Sequence, residues 1–153
     1  MLLQFSNPRG RIVQILCFNA IEGTHLQRCD VEGALTSWRE SPNAFYVHVS
    51  GFEQNELAAW LEQFNLSEFA ERRVLRMGQF TKVIAAKDAL IVELRVLGEM
   101  SADAPRQIVF LCLKNLIVSF EIEPVRNPDS LVADIERLTI AKDSATAILT
   151  ALL

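Results

Sequence analysis

The sequence lacks the short motifs that carry most well-understood enzyme and nucleotide chemistry. It contains no GxGxxG, no P-loop, no GxSxG and no HExxH, each of which supplies a defined geometry for phosphate, acyl or zinc chemistry. Histidine is scarce, with only His25 and His48, so a histidine metal site would have to assemble across strands. An enzyme is therefore disfavoured, and we assign no catalytic, cofactor-binding or metal-binding residue from the sequence.

Cysteine is also scarce, and its spacing excludes the common zinc and redox motifs. Cys17, Cys29 and Cys112 are odd in number and far apart, without the close pairs that zinc ribbons or redox motifs need. We interpret them as buried thiols in a reducing compartment. Met1–Arg11 has no charged segment followed by an apolar core and a small-residue cleavage site. Together these observations predict a cytoplasmic location.

The sequence has neither a basic surface nor a long apolar run. The net charge is −4, and lysine and arginine are scattered singly or in pairs, which excludes a stripe that neutralises phosphates or docks on an anionic membrane. The most apolar stretch, Ile108–Phe120, is interrupted by Lys114 and Asn115 and is shorter than the roughly 20 residues of a spanning helix. We predict no nucleic-acid partner, and a membrane link only through a carboxy-terminal part absent from this chain.

The composition is that of one folded domain covering residues 1–153. Half of the 153 residues are hydrophobic and 22% are charged, which is typical of a globular chain of this length. The hydrophobic periodicity predicts strands and helices along the chain. The predicted strands are Arg11–Phe18, His25–Cys29, Phe45–Ser50, Lys82–Ala86, Leu90–Leu97, Gln107–Leu113 and Leu116–Ile122. The predicted helices follow Asp30, contain Leu57–Phe64, run from Ser67 to about Met77, run from Asn127 or Asp129 to Leu138, and start at Asp143 or Ser144.

The order of these elements predicts the fold class. Strands and helices alternate early, two hairpins with turns at Lys87–Asp88 and Lys114–Asn115 occupy the middle, and helices close the chain. This order favours an α/β fold with helices on both faces of the sheet. We predict a three-layer α/β/α sandwich with a mixed, mostly antiparallel sheet of about six or seven strands.

Two histidine-containing groups could belong to a site. His48 shares a predicted strand face with Tyr46 and Ser50, so it could line a pocket or be a hydrogen-bonded sheet histidine. His25 and Cys29 lie on one face of another predicted strand and could bind a soft metal, although two ligands do not make a site. The structural interpretation is favoured for both groups.

Two charged groups could contact another subunit. Glu93 and Arg95 share a strand face, where they could pair with each other or across to a neighbouring strand, or could line an interface. Arg72, Arg73 and Arg76 form a positive helix face that could bind a carboxylate of another subunit. A structural ion pair and a solvated face are the simpler interpretations.

Several segments resemble the CorA family of divalent-cation transporters. Gln79–Val83, followed by Asp88–Arg95, is similar to the family's Gln-Arg-Pro-Lys-Val run and to its aspartate turn and apolar strand. Pro105 begins a run similar to one in the zinc-transporting ZntB branch, and Ile117–Ser119 resembles the strand that follows there. Phe45–Val49 and the two helices after it are similar to the strand and first helical pair of the family.

The resemblance covers about Phe45–Leu138 and implies the cytoplasmic amino-terminal domain of a CorA/ZntB-like transporter. It implies a role in subunit assembly and in the regulation of transport, with self-association into a pentamer in the full-length family. A divalent cation, magnesium or zinc, is implied for the full-length protein only. The family's Gly-Met-Asn pore signature and two membrane helices are absent from this chain, so we carry over no pore residue and expect no transport by the chain alone.

The sequence departs from the family pattern at three points, one of them being Leu94–Gly98 in place of the ZntB branch's Leu-Arg-Gly-Val-Asn. Phe80–Thr81 replaces the Arg-Pro, and Arg72 and Arg73 stand where magnesium-channel members carry an acidic pair that contributes to cation sensing. A cation would be repelled there, so that metal site is not carried over. Ala145–Leu153 would stop just before the family's stalk helix, which leaves an alternative open: a stand-alone cytoplasmic interaction or ligand-binding domain that keeps the fold without transport.

Overall fold

A computed structural model describes residues 5–6, 12–21, 24–76, 80–96, 106–123, 127–141 and 144–153. The predictions that fall on Arg11, Met77, Leu97 and Asp143 lie outside these residues, as do Gln79 and Pro105 of the family resemblance. The strands are β1 (Phe5–Ser6), β2 (Ile12–Ile21), β3 (His25–Arg28), β4 (Phe45–Ser50), β5 (Lys82–Ala85), β6 (Leu90–Val96), β7 (Arg106–Cys112) and β8 (Leu116–Glu121). The helices are α1 (Val31–Ser37), α2 (Gln54–Glu62), α3 (Glu68–Leu75), α4 (Pro128–Glu136) and α5 (Ala145–Leu152).

The eight described strands form one mixed sheet in the order β1-β2-β4-β8-β7-β6-β5, and β3 also pairs with β2. The β4–β8 pair is parallel, and the other described pairs are antiparallel. Seven of the strands are those that the sequence predicts, and the eighth is the two-residue β1. The predicted α/β class with a mixed, mostly antiparallel sheet is confirmed.

Both faces of the sheet contribute to a hydrophobic core cluster, and both contact helices. Along β2, Ile15 and Cys17 belong to one core cluster, which includes residues of α1, α2 and α3. The alternate residues Leu16 and Phe18 belong to a second cluster, which includes residues of α4 and α5. Because successive side chains of a strand point to opposite faces, the two clusters lie on opposite sides of the sheet.

Helix starts follow the capping residues in the sequence. Asp30, Ser67, Asn127 and Ser144 each accept a hydrogen bond from the backbone N–H three residues later. Such side chains satisfy N–H groups that have no partner within the helix. The chain leaves β4 through Gly51, whose φ of 75° is a conformation that glycine adopts without steric cost.

One capping residue also links a helix to the sheet. The Asp88 carboxylate, in the β5–β6 turn, accepts hydrogen bonds from the Ser67 N–H at 2.6 Å and from the Ser67 hydroxyl at 2.8 Å. The bond from the Ser67 N–H stabilises the ionised carboxylate and lowers the pKa of Asp88. The turn at Lys87–Asp88 is thereby fixed against the start of α3.

Replacing a core phenylalanine tests this description. Phe120 is fully buried and packs edge-to-face on Phe52, with ring centroids 6.0 Å apart. We expect Phe120→Ala to lower the free energy of unfolding by about 3–5 kcal/mol, because it leaves a cavity between the sheet and its helices. Phe69→Ala is the matched control, since Phe69 is 55% exposed, and it should change stability by less than about 0.5 kcal/mol. If urea titrations showed an equal loss of unfolding free energy for the two variants, the burial of Phe120 in this core would be contradicted.

Candidate functional site

The centre of the sheet contains a buried polar cluster formed by Tyr46, His48, Ser119 and Glu121. The residues come from β4 and β8, whose parallel register places His48 beside Ser119 and Ser50 beside Glu121. The Ser119 hydroxyl is 2.6 Å from His48 Nδ1 and 2.9 Å from the Tyr46 hydroxyl. His48 Nε2 is 3.8 Å from the Glu121 carboxylate. Helix α5 packs over β4, β7 and β8 and contributes to the core cluster on this face.

The cluster contains the residue types of a Ser-His-acid hydrolase, but its placement does not suit one. Ser119 has no exposed surface and His48 is 4% exposed, so a substrate has no access to the hydroxyl in this conformation. A nucleophile must be within reach of the atom that it attacks. The geometry supports the interpretation of His48 as a hydrogen-bonded sheet histidine.

Tyr46 is held in its neutral form by its surroundings. Burial raises the pKa of its phenol well above the ordinary value of 10.0, and the nearby Glu121 carboxylate acts in the same direction. Its ring stacks on Phe18, with centroids 5.9 Å apart. The phenol is thus a neutral hydrogen-bonding group within an apolar layer.

Two further polar side chains, on β2 and β4, lie next to the buried polar cluster at one end of these strands. Gln14 on β2 lies beside Ser50 in the register. The Gln14 Oε1 and Ser50 Oγ atoms are buried and have no hydrogen-bond partner among the described residues. Buried polar atoms of this kind are unusual in a packed core.

The charged groups predicted from the sequence lie elsewhere. Glu93 is buried on β6, and its carboxylate forms an ion pair with Lys82 of β5 at 3.3 Å. It therefore pairs across to a neighbouring strand. Arg95 is exposed. On α3, Arg72 pairs with Glu68 one turn earlier. Both pairs are structural contacts within the described residues.

His25 and Cys29 do not form a joint site. His25 is exposed and forms a β-bridge with Thr139, whereas the Cys29 sulfur lies 3.2 Å from that of Cys17. The prediction of three buried thiols is confirmed for Cys17, whereas Cys29 and Cys112 are partly exposed. The β2–β3 register, in which Phe18 lies opposite Arg28, brings the two cysteines together, and their equal spacing of six residues from Gly23 is the sequence signal for this pairing.

The described residues offer little else that would hold a ligand. Among them, no three or more histidine, cysteine, aspartate or glutamate side chains are placed to hold a metal ion. A shallow cavity of about 320 Å³ is lined by Val13, Glu56, Ala59, Trp60 and Gln63. It shares no residue with the buried polar cluster.

Comparison with solved structures identifies the fold. A full-length CmaX protein superposes with a TM-score of 0.65 at 17% identity, over 90% of this chain and 43% of that one. The ZntB cytoplasmic domain from Vibrio parahaemolyticus gives 0.61 at 12% identity, over 90% and 55%. The CorA magnesium transporter from Methanocaldococcus jannaschii gives 0.56 at 12% identity, over 90% and 43%.

This chain has the CorA/ZntB cytoplasmic-domain fold. At these identities the likeness shows the fold alone, and the chain spans about half the length of the proteins that it matches. No protein-family model matches the sequence, and no curated protein matches it. None of the helices in the described ranges has the length and hydrophobicity to span a bilayer.

The titration of Tyr46 tests the burial of the polar cluster. It is the only tyrosine in the sequence, so tyrosinate absorbance reports this residue alone. The pKa of this phenol is higher in the folded state than in the unfolded state, so only the unfolded state ionises when the pH first rises above the unfolded pKa. The free energy of unfolding therefore falls as the pH rises through this range. We expect no tyrosinate near the ordinary pKa of 10.0 while the circular dichroism is native. Ionisation of the native protein at that pH would contradict the burial.

The contacts of Ser119 with both Tyr46 and His48 lead to a second prediction. Ser119→Ala removes the hydroxyl that contacts both Tyr46 and His48, and we expect it to lower the free energy of unfolding by about 1–3 kcal/mol. Tyr46→Phe keeps the Ser119–His48 contact and should lower it by less, about 0.5–1.5 kcal/mol. Urea unfolding of both variants gives the order. A larger loss for Tyr46→Phe than for Ser119→Ala would contradict this order.

Proposed function

We propose that this chain is the cytoplasmic domain of a CorA/ZntB-like divalent metal ion transporter, and that it acts in subunit assembly and in the regulation of transport. In this proposal it is not transport-competent alone. The observation that carries the proposal is the fold, which extends over 90% of the chain in each comparison. The element order and the resemblance of Asp88–Arg95 to the CorA family point the same way.

An exposed apolar edge of the sheet supports self-association. Strand β5 ends the strand order, and it contains Val83, which is 65% exposed, while Phe80 just before it is 75% exposed. We call Phe80 and Lys82–Ala85 the β5 edge. An edge strand presents unpaired backbone groups, and natural proteins usually guard such edges with charge. We infer that a neighbouring copy contacts the β5 edge.

Regulation then requires contacts that differ between two packings of neighbouring subunits. A ligand shifts such an equilibrium only by the difference in its affinity for the two states. Arg76 is exposed next to α3, and Arg72 of α3 already pairs with Glu68, so this helix end favours a carboxylate of a neighbour over a divalent cation. Any magnesium or zinc that regulates the full-length protein is therefore expected to bind outside this helix.

Sedimentation of the purified chain tests the assembly role. We expect association that increases with protein concentration, measured with and without millimolar magnesium and micromolar zinc. Val83→Lys should weaken it at least about tenfold, because a charged edge strand resists pairing with another copy. Ala133→Lys is the matched control, since Ala133 is exposed on α4, and it should associate as the unaltered protein does.

Two results would count against the proposal. A chain that remains a monomer at all concentrations, with and without either metal, would contradict the assembly role and favour a stand-alone binding domain. If neither Val83→Lys nor Ala133→Lys changes the association, the contact between copies lies away from the β5 edge.

A further inference from the structure

Cys17 and Cys29 face each other across the β2–β3 hairpin. Their sulfurs are 3.2 Å apart, and the Cys29 N–H donates a hydrogen bond to the Cys17 carbonyl at 2.9 Å. The pair continues the antiparallel register in which Phe18 lies opposite Arg28. Opposite residues of such strands have Cβ atoms about 4.5–5.5 Å apart, and a disulfide needs about 3.5–4.5 Å. A small approach of the two side chains is therefore enough to bond the sulfurs.

The two thiols differ in access and in acidity. Cys17 is 1% exposed within the core, whereas Cys29 is partly exposed. The hydrogen bond between the two sulfurs lowers the pKa of Cys29, although burial and Asp30 oppose this shift. The same contact raises the pKa of Cys17, as does its burial. Cys29 is thus the sulfur that an oxidant meets first, and Cys17 is positioned behind it.

We propose that Cys17 and Cys29 form a reversible intramolecular disulfide when the protein meets a peroxide. The Cys29 thiolate attacks one oxygen of hydrogen peroxide, the O–O bond breaks, and the hydroxide that leaves takes a proton to become water. The Cys17 sulfur then attacks the Cys29 sulfenic acid, the S–O bond breaks, and a second water leaves with the Cys17 proton. Two thiols lose two electrons in total to the peroxide, and a dithiol reductant returns them.

This reaction would modify the fold locally and does not depend on the proposed transport role. Cys29 immediately precedes Asp30, the residue that caps α1, so the bond would join β2 directly to the start of that helix. Cross-linking restricts the unfolded chain more than the folded one. The oxidised protein is expected to unfold at a higher temperature than the reduced protein.

Cys112 provides an internal control within the same molecule. It is also partly exposed, but burial raises its pKa to about 12, which leaves little thiolate near neutral pH. Because it lies on β7, it is on a different part of the sheet from the pair. A general loss of thiols to peroxide would include Cys112, whereas the proposed reaction spares it.

Peptide mapping of the intact protein after brief peroxide treatment tests the proposal. Trypsin cleaves after Arg28 and separates the two cysteines into peptides 12–28 and 29–39. We expect an intact mass lower by about 2 Da, a disulfide-linked pair of these peptides, full alkylation of Cys112, and complete reversal by dithiothreitol. Cys112→Ser should behave identically, and Cys17→Ser should accumulate a Cys29 sulfenic acid that dimedone traps.

Three outcomes would overturn it. These are Cys29 oxidised to sulfinic acid without a cross-link, disulfides between chains in place of the linked peptides, and oxidation of Cys112 as fast as that of Cys29. The mapping uses the unaltered protein, so it decides the matter even if Cys17→Ser fails to fold.

Discussion

The parallel pairing of β4 with β8 joins the two halves of the sheet. On one side of this pair lie β1, β2 and β3, and on the other lies the antiparallel run of β7, β6 and β5. Every residue of both strands is buried, as expected for strands covered on both faces. The core clusters on the two faces, the polar cluster and the position of α5 all depend on this one junction.

The same junction explains why polar groups occur in the middle of the protein. Tyr46, His48, Ser119 and Glu121 point to the α5 side of the two central strands, where they contact one another. Hydrogen-bonded polar groups in a low-dielectric core are stabilising only as a set, since each one left alone would carry a desolvation penalty. They favour one register of β4 against β8, because a slip by one residue would turn each side chain to the opposite face.

Local features of the fold could be predicted from the sequence, and long-range ones could not. The alternation in Phe45–Ser50 gives β4 its bounds, and Ser67 and Ser144 mark helix starts, because these signals act over a few residues. The parallel partner of β4 left no comparable signal, and neither did the two-residue β1. The sequence leaves two partners open for Glu93, Arg95 on the same strand or a residue of a neighbouring strand. In the structure it pairs with Lys82 of β5, because strand register rather than sequence proximity decides which charges meet. The contact between Cys17 and Cys29 likewise depends on the register of β2 against β3.

The central pair also has a consequence for the order of events during synthesis. His48 and Ser119 are 71 positions apart, and the ribosome delivers the amino-terminal half first. Until β8 emerges, β4 can pair with β2 but lacks its parallel partner. Contacts between such distant segments form slowly because a long loop must close before they are made. Strand β4, which is buried along its whole length in the finished domain, therefore waits for its parallel partner until most of the chain has been made.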